Sequence, residues 1–143
     1  MRVLVLCLAF AVCCFLMSSA VYAQDEPHVY TLTTMRAAMP EGGRGSERDS
    51  LLSWYTENIV KKNPKIVSEI QLRHYYTADS QEWMILSEFK NWADIDAANT
   101  MNDDLMKKAV PDERKREEWN RAFGRYFPTH SDRILTEVPK LRK

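Results

Sequence analysis

Residues 66–89 constrain the fold of this 143-residue chain more than any other stretch. They read IVSEIQLRHYYTADSQEWMILSEF, two runs rich in β-branched and aromatic residues on either side of Asp79-Ser80. If that dipeptide forms a two-residue turn, Ala78 pairs with Gln81. Four further pairs then share one face: Tyr76 with Trp83, His74 with Ile85, Leu72 with Ser87, and Ile70 with Phe89. The sequence therefore predicts a long antiparallel hairpin.

The two faces of this hairpin need two separate covers. The face with His74 and Trp83 is apolar and aromatic, and Met84 and Leu86 make the second strand apolar on its opposite side as well. A strand that is apolar on both sides is typical of a sheet buried on both faces. Helices of the same chain can cover one face, and we expect a second copy of the chain to cover the other.

The amino-terminal residues 1–23 have the organisation of a secretory signal peptide. Arg2 supplies a positive start, an apolar run follows over residues 3–17, and small residues lead to a cleavage site after Ala23. All three cysteines fall inside this segment, so residues 24–143 would form a single thiol-free domain. We expect that domain to be exported, either periplasmic or secreted, with no membrane attachment after cleavage.

The charge balance argues against a nucleic-acid partner. The chain has 20 basic and 20 acidic residues, and only Arg2 among them lies in the leader. Proteins that neutralise phosphates need an excess of Lys and Arg, which this chain lacks. The sequence also contains no GxSxG elbow, P-loop, dinucleotide fingerprint or HExxH motif. These absences remove the most recognisable hydrolase, nucleotide-binding and zinc-protease classes.

Segments before the hairpin predict one strand and one helix. The strand covers residues 28–36, where β-branched and aromatic residues are frequent. The helix covers residues 46–62, with Ser46 and Asp49 spaced as a capping box and Asn63-Pro64 as its end. The Pro- and Gly-rich loop at residues 40–45 separates the two.

Segments after the hairpin predict a pair of helices and a last strand. The helices begin near Asn91 and Pro111. The last segment, residues 130–141, alternates Ile134, Thr136 and Val138 against Arg133, Leu135 and Glu137 as in a strand. Pro139 restricts that strand to a sheet edge. The full order is βαββαβ, which is a ferredoxin-like α+β fold with a four-stranded antiparallel sheet and helices on one face.

Residues 29–138 resemble the dimeric α+β barrel proteins, in which two ferredoxin-like domains pack sheet against sheet. The resemblance rests on the element order, the long hairpin and the aromatic residues of the helices. The resemblance implies a homodimer and a small-molecule cavity between the sheet and its helices. That superfamily includes cofactor-independent monooxygenases acting on polycyclic phenols, haem-degrading enzymes, lactone isomerases and many members of unknown activity. The Asn, Trp and His constellation of the haem-degrading branch is not matched here, so no cofactor is expected.

The resemblance would place the cavity between the hairpin and the first helix. The candidate ligand-binding residues are Trp54, Tyr55, Asn58 and Trp83, and the candidate catalytic residues are His74 and Tyr76. An imidazole on an apolar strand face could move a proton at a bound phenol or enol, with Tyr76 or Asn58 orienting the substrate. The same residues could instead be a hydrogen-bonded core histidine and packed aromatic rings.

His130 and Asp132 share one side of the last strand but have no third candidate ligand nearby, so no metal is expected. Three hypotheses about function remain open, and nothing in the sequence demonstrates catalysis. The domain could bind a small apolar or aromatic molecule without turnover. It could be a cofactor-independent monooxygenase or isomerase with His74 as proton carrier. It could also be a structural or interaction module whose cavity is filled by its own side chains.

Overall fold

The computed structural model describes residues 26–73 and 81–141. Strands and helices follow in the order β1 Val29–Arg36, α1 Gly45–Asn58, β2 Ser68–Arg73, β3 Glu82–Phe89, α2 Trp92–Ala109, α3 Glu113–Tyr126 and β4 Thr129–Thr136. Short 3-10 helices at Val60–Lys62 and Pro139–Leu141 follow α1 and β4. The predicted βαββαβ order, with a pair of helices after the hairpin, is confirmed. Within these ranges no helix is both long and apolar enough to cross a membrane.

The four strands form one antiparallel sheet in the order β2-β3-β1-β4. The central strands β1 and β3 carry Val29, Met35 and Phe89 into the core. Strand β4 lies at an edge, as Pro139 predicts. The helices cover the sheet face that carries Trp83 and Ile85, which pack against the core formed by Met35, Leu52, Tyr126 and Phe127.

The register between β2 and β3 differs from the prediction by three residues. Leu72 pairs with Met84 and Ile70 with Leu86, whereas a two-residue turn requires Leu72 to pair with Ser87. Successive side chains of a strand point to opposite faces of the sheet. A shift by an odd number of residues therefore moves every side chain of β2 to the face opposite the predicted one. The predicted register was therefore wrong. Asp79-Ser80, from which it was derived, lies outside the described residues.

As a result, the sheet face away from the helices is strongly apolar. Ile70 and Leu72 lie there beside Met84 and Leu86, and Leu135 of β4 lies on the same face. The side chains of Ile70, Leu72 and Leu135 are 51%, 44% and 43% exposed. This is the face that we expect a second copy of the chain to cover, and we call it the bare face. Strand β2 adds Ile70 and Leu72 to it, which the predicted register had placed on the other face.

Helix α1 does not begin with the predicted capping box. It starts at Gly45, and the N-cap residue Arg44 makes no side-chain cap. Instead the hydroxyl of Tyr126 accepts a hydrogen bond from the Arg44 backbone N–H at 3.0 Å and donates one to Glu47 at 2.6 Å. A side chain from the end of α3 thus replaces the local cap.

Candidate functional site

A cavity of about 380 Å³ lies between the sheet and the helices. Its walls come from all three helices and from β3: Tyr55, Ile85, Asn102, Asp103, Met106, Trp119, Asn120 and Phe123. Helical spacing brings these side chains together, because residues three and four apart share a face, as Trp119 and Phe123 do on α3. The volume falls within the range of small-molecule sites.

Aromatic rings form one wall of this cavity around Trp119. The ring of Trp119 stacks on Phe123 with centroids 5.2 Å apart and planes 14° from parallel, and on Tyr55 with centroids 5.6 Å apart. Trp54 also contacts Trp119, in a tilted arrangement with ring centroids 5.7 Å apart. These packed rings give the cavity an apolar wall.

Tyr55 brings a neutral hydroxyl to this wall. Burial raises the pKa of Tyr55 to about 12, and the negative charges of Glu69 and Asp103 contribute in the same direction. Both effects disfavour the phenolate, because it would be a charge in a poorly solvated and already negative environment. At neutral pH Tyr55 can therefore donate or accept a hydrogen bond, but it does not act as a base.

The carboxyl group of Glu69 lies near this cavity, on the sheet face that the helices cover. It pairs with Ser87 across β2 and β3, and the Ser87 hydroxyl donates to Glu69 Oε2 at 3.0 Å. Burial raises the pKa of Glu69, while the hydrogen bonds from Ser87 and Gln71 lower it by less. Glu69 also borders a neighbouring cavity of about 480 Å³, together with Gln71 and Thr56.

The structure brings together only some of the residues predicted for the site. Trp54 and Tyr55 both contact Trp119, but only Tyr55 lines the cavity. Asn58 is engaged within its own helix end: its Nδ2 donates to the Trp54 carbonyl at 3.0 Å and its Oδ1 accepts from Lys62 at 3.1 Å.

Trp83 lies on the helix-facing side of the sheet and reaches the Trp119 cluster through Phe127, which packs against Phe123. Its ring meets Phe127 edge-on at 6.0 Å, and the Arg48 guanidinium lies 5.2 Å from its centroid. Its Nε1 is buried without a hydrogen-bond partner in the described part of the chain. His74 and Tyr76 lie outside the described residues, so the roles assigned to them stay predictions.

Sequence reasoning missed the polar residues that α2 and α3 bring to the cavity, chiefly Asn102, Asp103 and Asn120. One signal was available: Asn102 follows the buried Ala98 by four residues, which puts a polar side chain on the apolar stripe of α2. Glu69 was missed because the predicted register left its contacts with Ser87 unrecognised.

His130 and Asp132 are close but exposed, with Nε2 and Oδ2 separated by 3.5 Å. Asp132 also accepts a hydrogen bond from Thr33 at 2.6 Å. Within residues 26–73 and 81–141, no group of three or more His, Cys, Asp or Glu side chains could hold a metal ion.

No family model and no curated protein matches this chain. Several solved structures do match it in fold. The cofactor-independent oxygenase SnoaB from Streptomyces nogalater aligns with a TM-score of 0.53 at 11% identity, over 81% of this chain and 98% of that one. A putative antibiotic biosynthesis monooxygenase from Caulobacter crescentus CB15 aligns with a TM-score of 0.53 at 9% identity, over 80% and 92%.

A dimeric ferredoxin-like protein of unknown function from Thermobifida fusca YX also has a TM-score of 0.53, at 6% identity over 82% of this chain and 96% of that one. Identities this low show a shared fold alone. They agree with the βαββαβ order and with the ferredoxin-like sheet described above.

Proposed function

We propose that this chain, which has the ferredoxin-like fold of the dimeric α+β barrel superfamily, binds a small, largely apolar or aromatic molecule beside Trp119. One observation carries the proposal: a cavity of about 380 Å³ has a wall of stacked rings and a few polar groups at its margin. Apolar walls with few polar groups are typical of small-molecule sites, where the polar groups orient the ligand.

The rings of Trp119 and Phe123 in the cavity wall favour a largely apolar or aromatic ligand. Asp103 lines the cavity and Glu69 lies nearby, and the described residues of the wall include no Lys or Arg. A negatively charged ligand would therefore be disfavoured by repulsion. The ligand class that fits best is a neutral, mostly apolar or aromatic molecule.

Filling the cavity tests this proposal. Met106→Trp adds bulk at the cavity wall, and Met101→Trp makes the same change on α2 at a residue that does not line the cavity. We expect Met106→Trp to weaken the binding of 1-naphthol at least tenfold, measured by calorimetry, and Met101→Trp to leave it nearly unchanged. Equal binding by both variants would contradict the proposed site. Native mass spectrometry of the purified protein can then identify a co-purifying ligand.

A second candidate function is a cofactor-independent monooxygenase or isomerase in which His74 moves the proton and Tyr76 orients the substrate. The observation that favours it is the fold shared with SnoaB, which is described as a cofactor-independent oxygenase. His74→Ala is then expected to abolish oxygen uptake with a polycyclic phenol while leaving its binding nearly intact. Unchanged uptake would remove His74 as the proton carrier.

We also propose that the mature protein is exported and forms a homodimer through its bare sheet face. The exposed side chains of Ile70, Leu72 and Leu135 support the second part, because several large apolar side chains exposed on one sheet face are typical of an interaction surface. The ferredoxin-like protein from Thermobifida fusca YX is described as dimeric. Export predicts a mature amino terminus at Gln24, which amino-terminal sequencing of the secreted or periplasmic protein would reveal.

A further inference from the structure

Asn63, between the 3-10 helix Val60–Lys62 and β2, has an amide whose orientation is fixed by the backbone. The side chain is 3% exposed. Its Nδ2 donates to the carbonyl of Ala98 at 2.9 Å, and its Oδ1 accepts from the backbone N–H of Lys65 at 2.9 Å. A carbonyl can only accept and a backbone N–H can only donate, so the two ends of this amide cannot be exchanged.

This fixed amide in turn orients Asn102. The Nδ2 of Asn63 also donates to Oδ1 of Asn102 at 2.8 Å, which identifies that atom of Asn102 as the oxygen. Asn102 lines the cavity beside Trp119, whereas Asn63 does not. The amide nitrogen of Asn102 has no hydrogen-bond partner in residues 26–73 and 81–141, and it is therefore available to the cavity.

We infer that Asn63 is a positioning residue that makes Asn102 a hydrogen-bond donor to the bound molecule, and that this molecule carries a neutral acceptor oxygen such as a ring carbonyl. The inference rests on the proposed function of the cavity. A ligand that supplies an acceptor gains a hydrogen bond from this donor on binding and is therefore favoured over its hydrocarbon counterpart. The negative charges of Asp103 and Glu69 favour a neutral carbonyl over a phenolate.

Asn63→Asp separates positioning from simple packing because the two side chains have nearly the same shape. The carboxylate of the variant still accepts from Lys65, but it can donate neither to Asn102 nor to the Ala98 carbonyl. Asn102 then rotates to donate to the new carboxylate, and its oxygen faces the cavity. Unchanged backbone amide shifts outside the cavity verify that the variant keeps its fold without the Ala98 hydrogen bond. Asn91→Asp makes the same change in charge at the N-cap of α2, away from the cavity, and is the matched control.

The experiment compares 1-indanone, which has a carbonyl, with indane, which does not. We expect the protein and the Asn91→Asp variant to bind 1-indanone about tenfold more tightly than indane in NMR titrations. In Asn63→Asp the ratio falls to about one or inverts, and the side-chain amide protons of Asn102 shift even without ligand.

If both probes bind the unmodified protein equally, the inference is wrong and the proposed function stands. Binding of neither probe contradicts the proposed function and the ligand class together. The Asn102 amide resonances decide the positioning role in every case: if Asn63→Asp leaves them unchanged, that role is wrong.

Discussion

Tyr55 illustrates how its surroundings control the behaviour of one side chain. Its pKa rises from 10.0 to about 12, so between these values the unfolded chain loses the proton while the folded protein keeps it. The contribution of Tyr55 to stability is therefore complete below pH 10 and is lost as the pH rises toward 12. We expect the free energy of unfolding to fall less steeply over this interval in Tyr55→Phe than in the unmodified protein.

Urea denaturation at several alkaline pH values measures this difference. The ultraviolet absorbance of the phenolate, compared between the protein and Tyr55→Phe, measures the titration directly. If Tyr55 ionises near pH 10, as a freely exposed tyrosine does, the buried position beside Trp119 is contradicted.

Gly43 is a second position where a single atom matters. A Cβ there would lie 2.7 Å from Cγ of Pro40 and 2.9 Å from the Tyr126 hydroxyl that caps α1. We expect Gly43→Ala to lower the free energy of unfolding by about 1–3 kcal/mol, the usual cost of forced overpacking. Gly124→Ala is the control, because its Cβ meets nothing within 4 Å and α3 should gain about 0.5–1 kcal/mol. Thermal or urea denaturation gives both values.

The sequence predicts the N-caps of α2 and α3 but not the N-cap of α1. Asn91 caps α2 by accepting from the Asp94 N–H at 3.1 Å, and Asp112 caps α3 by accepting from the Lys115 N–H at 3.2 Å. These caps involve neighbours in sequence and confirm the predicted helix starts near 91 and 111. The cap of α1 comes from Tyr126, and no local pattern indicates it.

Removing that hydroxyl should loosen α1 alone. In Tyr126→Phe, the Arg44 N–H loses its acceptor, so we expect faster amide hydrogen exchange in the first turn of α1 and unchanged exchange in α2. Asn91→Ala should have the reverse effect. Uniform acceleration in both helices would mean that the variant loses global stability instead.

Three strands are joined at one carboxylate on the bare face of the sheet. Glu88 of β3 accepts hydrogen bonds from Ser68 of β2 at 2.5 Å and from Tyr30 of β1 at 3.1 Å, and His28 lies 2.5 Å away. The hydrogen bond from Ser68, followed by that from His28, holds the pKa of Glu88 below its usual value of 4.5. Its contribution to stability is present above pH 4.5 and is lost as the pH falls through the lowered pKa.

We expect Glu88→Gln to lower the free energy of unfolding by about 1–2 kcal/mol at pH 7, with the deficit shrinking at acidic pH. Glu57→Gln, which removes an exposed ion pair with Lys61, should cost less than about 0.5 kcal/mol. Urea denaturation across the acidic range measures both. A deficit that stays constant with pH would contradict the role assigned to the ionised carboxylate.

For the molecule as a whole, the apolar bare face is the feature that a single chain leaves unexplained. We expect Leu72→Lys to convert a dimer into a monomer with little loss of folding, because Leu72 is already 44% exposed in one chain. Leu141→Lys, at an 83% exposed position off the sheet, is the control. Analytical ultracentrifugation measures the mass, and an unmodified protein that stays monomeric at high concentration would contradict the proposed dimer.

Local sequence was enough to predict the order of strands and helices, the edge position of β4 and the opposite directions of Trp83 and Met84. These features follow from hydrophobic periodicity, turn residues and caps, which depend on neighbours within a few positions of one another. They also indicated the βαββαβ fold, which the solved structures share.

The register of β2, the cap of α1 and the lining of the cavity followed from folding of the complete chain. Leu72 beside Met84, Tyr126 beside Arg44 and Asn63 beside Asn102 are contacts between residues 12, 82 and 39 positions apart. A pattern within one segment cannot choose among such partners, because packing of separate elements decides which side chains meet. For the same reason, the sequence predicted a cavity between the sheet and the helices, but only the tertiary structure showed most of the polar residues that line it.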